Sequence, residues 1–210
     1  MLDHLAGLLP PMTDAEIVGD ARQPGDDFLD TNNNYTWYYA VGDALRPRSI
    51  LEFGVRYGYS AIAILRGSGI GALYAVSYTG IDAEADGILS NDIALRAIKN
   101  YASPAEILRI NTADAVGILE AIGTRSPFDL VHVDADHSEN GIRTELQYAL
   151  LAARPAGVIL IDDIDAPHVR AEADRFCRKL GITPEFLPTF HGTYLVDLAS
   201  VKFRNQFGVQ

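Results

Sequence analysis

Acidic residues follow two of the most apolar segments of the sequence. Asp134-Ala135-Asp136-His137 comes directly after Phe128–Val133, and Asp162-Asp163 comes directly after Gly157–Ile161. If these segments are neighbouring strands, three or four carboxylates converge at one edge of a sheet. They then repel one another unless one is protonated or a cation lies between them. Oxygen ligands suit Mg²⁺, Mn²⁺ or Ca²⁺, whereas zinc prefers His and Cys. The pattern therefore favours a divalent-cation site.

A glycine-containing turn is the second candidate site. It follows the apolar segment that starts at Ser49, and it contains Gly54 and Gly58 in the spacing G-x-x-x-G, with Glu52 two residues before the first glycine. The dinucleotide fingerprint G-x-G-x-x-G is absent. An acid at this point would repel a phosphate but would suit an ammonium or sulfonium group. A tight turn that uses its glycines only for packing is the alternative.

Asp82 ends the next β-rich segment. A carboxylate at this point commonly binds ribose hydroxyls in nucleoside-binding α/β folds. An ordinary solvated loop aspartate is the alternative.

Short apolar segments and helical segments alternate along the chain. Strands that are apolar on both faces and alternate with helices indicate an α/β fold, a Rossmann-like doubly wound and mostly parallel sheet. An antiparallel hairpin is expected to close it, and ligands are expected beyond the carboxyl ends of the strands. The predicted strands are Ser49–Val55, Leu73–Ile81, Glu106–Ile110, Phe128–Val133, Gly157–Ile161, Glu185–Phe190 and Tyr194–Leu198, and the predicted helices are Tyr35–Leu45, Tyr59–Leu65, Asp92–Tyr101, Ala113–Ile122, Glu139–Ala153 and Pro167–Leu180.

Composition limits the classes of protein and partner. The 210 residues carry a formal net charge of -11, which argues against binding to nucleic acid or to an anionic membrane surface. One cysteine, Cys177, excludes an internal disulfide framework. With no apolar run of membrane-spanning length and no signal peptide, we expect a cytoplasmic protein. Residues 1–30 are expected to form an irregular lead-in with one short helix, and residues 31–210 a single domain.

Both candidate sites resemble those of a known family. Glu52-Phe53-Gly54 with Gly58 and Ser60, followed by Asp82, resembles the first two motifs of class I S-adenosylmethionine-dependent methyltransferases. The acidic motifs are similar to those of the divalent-metal-dependent O-methyltransferases of the catechol type and the macrocin type. The resemblance runs from about Thr31 to Leu198. It implies S-adenosyl-L-methionine and Mg²⁺ or another divalent cation as cofactors, a small-molecule hydroxyl acceptor (a natural-product sugar or a catechol-like compound), and a capacity to form homo-oligomers.

The same resemblance implies roles for individual residues. His137 would be the general base, and Asp136 holds the place of a catalytic carboxylate in other members. The acceptor's vicinal oxygens would chelate the metal, which lowers the pKa of the reacting hydroxyl. The implied metal ligands are Asp134, Asp162 and Asp163, and the implied cofactor-binding residues are Glu52, Gly54, Tyr57, Gly58, Ser60, Asp82 and Asp114.

Structural alternatives remain open for several of these residues. Asp114 could equally cap the following helix, Asp162-Asp163 could cap a loop, and Asp136 could be only a helix N-terminal charge. His137 could be an N-terminal loop residue, and His132, on a buried strand, is interpreted as a core histidine. His191 could reach an acceptor pocket, or it could be only a residue of the predicted hairpin turn.

Alternatives also remain for the function. One is a metal-independent or non-catalytic S-adenosylmethionine-binding protein of the same fold. Another is a nicotinamide-dependent oxidoreductase, which the missing fingerprint and Glu52 disfavour.

Overall fold

Seven strands form one sheet in the computed structural model, which describes residues 2–10, 12–23, 26–30, 34–69, 75–83 and 88–201. The strand order is β3-β2-β1-β4-β5-β7-β6. The first five strands are parallel, and β7 runs antiparallel to both of its neighbours. The predicted α/β fold with an antiparallel C-terminal hairpin is confirmed. The strands are β1 (Ser49–Phe53), β2 (Ser77–Ile81), β3 (Ala105–Leu108), β4 (Phe128–Val133), β5 (Ala153–Ile161), β6 (Glu185–Leu187) and β7 (Thr193–Asp197).

Helices cover both faces of the sheet, because successive side chains of a strand point to opposite faces. Along β4, Leu130 packs into one apolar cluster, and Val131 and Val133 pack into the other. No helix among the described residues is long and apolar enough to cross a membrane. The helices are α1 (Leu2–Ala6), α2 (Asp14–Val18), α3 (Asn34–Leu45), α4 (Tyr59–Gly67), α5 (Ile88–Ile98), α6 (Ala115–Arg125), α7 (Glu139–Ala152) and α8 (Pro167–Leu180), with 3₁₀ turns at 19–21, 27–30 and 198–200.

The neighbouring strands bring the acidic residues together. In the register of the sheet, His132 of β4 lies between Glu52 of β1 and Leu160 of β5. The carboxyl ends of β1, β4 and β5 are therefore side by side. The strand order reverses between β1 and β4, which is where doubly wound sheets bind their ligands.

Several predicted boundaries differ from the structure, and the largest differences are in β2, β5 and α5. Strand β5 begins at Ala153 rather than Gly157, because its first four residues are largely accessible and the apolar pattern marks only the buried half. Helix α5 begins four residues before the predicted start, and a turn that bonds Tyr101 N–H to the Ile98 carbonyl ends it early. Of the predicted strand Leu73–Ile81, residues 73–74 lie outside the described residues.

The N-terminal segment has two short helices, where one was expected. A capping box of Thr13 and Glu16 begins α2. The carboxylate of Asp14 is fully buried and accepts the N–H groups of residues 34, 35 and 36 at 2.7–3.0 Å. It thereby caps α3 from twenty residues away. The division into a lead-in and one domain stays a prediction.

Candidate active site

A cavity of about 840 Å³ opens at the carboxyl ends of the central strands. One wall is the loop between β1 and α4 together with Asp82, and the facing wall is the acidic cluster that follows β4 and β5. Most of the predicted site residues line this space. They are Gly54, Tyr57, Gly58, Ser60, Asp82, Asp134, Asp136, His137, Asp162 and Asp163.

Backbone contacts hold the glycine loop in place. Gly54 has φ of 82°, and a Cβ atom there would lie 2.0 Å from the carbonyl oxygen of Asp134. Gly58, with φ of 73°, is the N-cap of α4. The carboxylate of Asp82 accepts the N–H groups of Val55 and Arg56 at 2.9 and 2.8 Å. The loop is therefore joined both to the acidic cluster and to the end of β2.

Two predicted cofactor-binding residues lie elsewhere. Glu52 is buried beneath the cavity and is not among its lining residues, because Ser60, Tyr78 and His132 all bind its carboxylate. Asp114 accepts the N–H of Gly117 at 3.1 Å and caps α6, and it too is not a lining residue. The helix cap is therefore present, and a contact of Asp114 with the cofactor stays a prediction.

The three predicted metal ligands fall into different groups. A ring nitrogen of His132 and one carboxylate oxygen each of Asp134 and Asp162 lie within 4.8 Å of one another, and so do ligand atoms of Asp134, His137 and Asp163. Asp163 has φ of 56°, so the extended backbone of β5 does not continue through it. The two successive aspartates therefore contact different partners, and Asp134 belongs to both groups.

His137 bridges two of the carboxylates. Its Nε2 lies 3.3 Å from Asp134 Oδ1 and 2.8 Å from Asp163 Oδ2. These two contacts raise the pKa of His137 to about 10, and the contact with His137 lowers the pKa of Asp163. Burial raises the pKa of Asp134 to about 6. The predicted base therefore carries a proton at neutral pH in this arrangement.

Asp136 is held by its own loop and by α7. Its Oδ1 accepts the N–H of Ser138 at 2.9 Å, and its backbone N–H donates to Glu145. Glu145 is fully buried, and burial raises its pKa to about 7. Glu145 is not among the predicted site residues, although an acid among the buried positions of an amphipathic helix is a usable signal.

Several other residues that line the cavity are not among the predicted site residues. Tyr35, Asn111 and Thr112 line the cavity. So do Phe190, which is 62% exposed, and His191, which lies 3.1 Å from Asp165. Tyr35 and Tyr38 are three residues apart in α3, and only the tertiary structure separates Tyr35, at the cavity, from Tyr38, which is fully buried.

A family model described as a methyltransferase domain matches residues 51–164, which is more than half of the chain. The chain belongs to this methyltransferase family, as the sequence motifs indicate.

Among characterised proteins, the catechol O-methyltransferase of Mycobacterium tuberculosis is 30% identical over 125 residues. This match covers 59% of this chain and 51% of that protein, so the chain spans about half the length of the relative.

Solved structures share the fold. An O-methyltransferase from Bacillus cereus in complex with SAH (S-adenosylhomocysteine) superposes with a TM-score of 0.59 at 20% identity, covering 93% of this chain and 90% of that one. The O-methyltransferase TomG from Streptomyces achromogenes, involved in tomaymycin synthesis and solved with SAM (S-adenosylmethionine), has a TM-score of 0.59 at 18% identity, covering 93% and 89%.

Proposed function

We propose that this chain is an S-adenosylmethionine-dependent O-methyltransferase that transfers a methyl group to a hydroxyl group of a small molecule. The observation that carries the proposal is the shared cavity, in which a glycine loop faces a cluster of carboxylates and imidazoles. Such a loop can lie against the cofactor, and such a cluster can orient a hydroxyl group and deprotonate it. Family membership and similarity to O-methyltransferases solved with SAM or SAH support the same assignment.

For the cofactor, we propose contacts with the loop residues Gly54, Tyr57 and Gly58, and with Asp82 near the ribose. All four line one wall of the cavity. Ser60 also lines it, but its hydroxyl donates to Glu52, so we assign these two residues the role of supporting the loop from below. A sulfonium group bound at the loop would lie close to the negative charge of the facing wall.

For the metal, the donor chemistry fits a divalent cation. Carboxylate oxygens of Asp134 and Asp162 lie close to a ring nitrogen of His132. Carboxylate oxygens of Asp134 and Asp163 lie close to a ring nitrogen of His137. A buried ring nitrogen of His132 also has no hydrogen-bond partner. We propose that Asp134, Asp162 and Asp163 supply the ligands. Such a cation, when bound, lowers the pKa of an acceptor hydroxyl and orients it.

His137 is our proposed base, acting through Nε2. A protonated imidazole cannot accept a proton, so this role requires His137 to leave at least one of its carboxylate partners. Asp136, which is held by Ser138 and Glu145, would position the loop that carries His137. For the acceptor, we propose a molecule with two vicinal oxygens, catechol-like or a sugar, as the chelating chemistry requires.

Methyl transfer from labelled S-adenosylmethionine to panels of catechols and sugars tests the proposal. We expect a methylated product from acceptors with vicinal hydroxyls and none from analogues in which both are already methylated. If SAH binds but no acceptor is methylated with any divalent cation, the alternative of a non-catalytic cofactor-binding protein replaces the proposal. If NAD binds and SAH does not, the oxidoreductase alternative replaces it.

A further inference from the structure

His132 is a buried imidazole with one ring nitrogen bonded and one not. Nδ1 lies 2.9 Å from Glu52 Oε1, whereas Nε2 is buried without a hydrogen-bond partner. The side chain is 0% exposed. Buried polar atoms are nearly always satisfied, and leaving one unsatisfied is costly. Nε2 of His132 therefore needs an explanation.

The surroundings of His132 point to a cation. Asp134 directly follows the last residue of β4 and lies two residues after His132. A ring nitrogen of His132 and carboxylate oxygens of Asp134 and Asp162 lie within 4.8 Å of one another. Asp162 is itself oriented, since its Oδ1 accepts the hydroxyl hydrogen of Thr193 at 2.7 Å.

Glu52 gives the second observation. Histidines that bind metals usually donate their other ring N–H to a carboxylate, which fixes the tautomer and the ring orientation. Glu52 occupies that place beside Nδ1, and it is fixed in turn by the hydroxyl groups of Ser60 and Tyr78. Nε2 can bind a cation only as the unprotonated nitrogen, with the single ring proton on Nδ1 beside Glu52.

We propose that His132 Nε2 is a ligand of the divalent cation, together with Asp134 and Asp162, and that Glu52 is its positioning residue. The inference rests on the proposed function, since it concerns the same cation, but it replaces an all-oxygen donor set by a mixed nitrogen and oxygen set. An imidazole donor suits first-row transition metals better than Mg²⁺, which prefers oxygen ligands. The site would therefore select a transition metal.

Pulsed electron paramagnetic resonance of the Mn²⁺-loaded full chain tests this ligand set without any turnover. With ¹⁵N introduced only at histidine, we expect a ¹⁵N coupling to Mn²⁺ in the unmodified protein and in the matched control His137→Gln. The coupling should vanish in His132→Gln, and calorimetry should show Mn²⁺ binding weakened at least tenfold. The unmodified protein should also bind Mn²⁺ at least tenfold more tightly than Mg²⁺.

SAH binding by calorimetry checks that each variant is folded. If His132→Gln does not fold, Glu52→Gln is the second variant, which should keep the coupling and weaken Mn²⁺ binding roughly tenfold. The proposal is overturned if Mn²⁺ does not bind, if the unmodified protein shows no histidine coupling, or if the coupling persists in His132→Gln. Because no methyl donor or acceptor is present, these outcomes are independent of whether the protein transfers methyl groups.

Discussion

A Cβ atom added to Gly54 would lie 2.0 Å from the carbonyl oxygen of Asp134. The glycine loop on one wall of the cavity thus packs directly on the backbone of the first residue of the acidic cluster. No side chain fits between them. The two walls are therefore built as one unit, and a change at this contact should affect both.

Gly54→Ala should disrupt the site. The added methyl group would overlap backbone atoms of Asp134, and φ of 82° is unfavourable for alanine. We expect a loss of about 2–4 kcal/mol in the free energy of unfolding and at least tenfold weaker SAH binding. Denaturant unfolding and calorimetry measure the two effects. Gly123→Ala is the control, because a Cβ there meets nothing within 4 Å, and equal behaviour of the two variants would contradict the interpretation.

His137→Ala should abolish methyl transfer while SAH binding survives. The imidazole contacts two carboxylates of the acidic cluster, and it is not part of the glycine loop. Loss of a general base typically lowers kcat by about 10²–10⁴-fold. His168→Ala, at an exposed position at the start of α8, is the control and should keep full activity. Undiminished turnover of His137→Ala would move the base to Asp136 or another residue.

Removal of divalent cations should suppress turnover. Asp134 and Asp162 belong to both ligand sets proposed above, and chelation by EDTA would leave the acceptor without the group that lowers its pKa. Activity should return when Mg²⁺ or Mn²⁺ is restored in excess of EDTA. SAH binding, measured in parallel, should change little. An unaffected rate after exhaustive dialysis against EDTA would rule out metal assistance.

Glu145 should make stability depend on pH. Burial raises its folded pKa to about 7 from 4.5, so between these values the folded state binds more protons than the unfolded state. The contribution of Glu145 to the free energy of unfolding is therefore largest below about pH 4.5, and it decreases as the pH rises toward 7. We expect a decrease of roughly 3 kcal/mol across this window from Glu145 alone.

Glu145→Gln should remove that contribution. Denaturant unfolding between pH 4.5 and 8 should give a flatter dependence for this variant than for the unmodified protein. Glu139→Gln, at an exposed position at the start of the same helix, should reproduce the unmodified dependence. If the free energy of unfolding has the same pH dependence in Glu145→Gln as in the unmodified protein, Glu145 does not titrate in this range.

The sequence by itself determined the elements whose signals are local. Phe128–Val133 and Pro167–Leu180 have the predicted bounds, because the first is a continuous apolar run and the second is an amphipathic helix with proline in its first turn. The alternation of strands and helices also determined the parallel sheet. Because parallel strands end at the same edge, the convergence of Asp134 and Asp162 followed as well.

Only the tertiary structure decided which groups these side chains contact. Glu52 binds Ser60, Tyr78 and His132, and Asp14 caps a helix twenty residues away. The carboxylates of Asp162 and Asp163, adjacent in sequence, belong to different groups. Such contacts depend on strand register, side-chain rotamers and backbone angles that are set by packing among distant segments. Residue spacing along the chain predicts contacts within one element. Contacts between distant elements are decided only when the chain folds and packs those elements together.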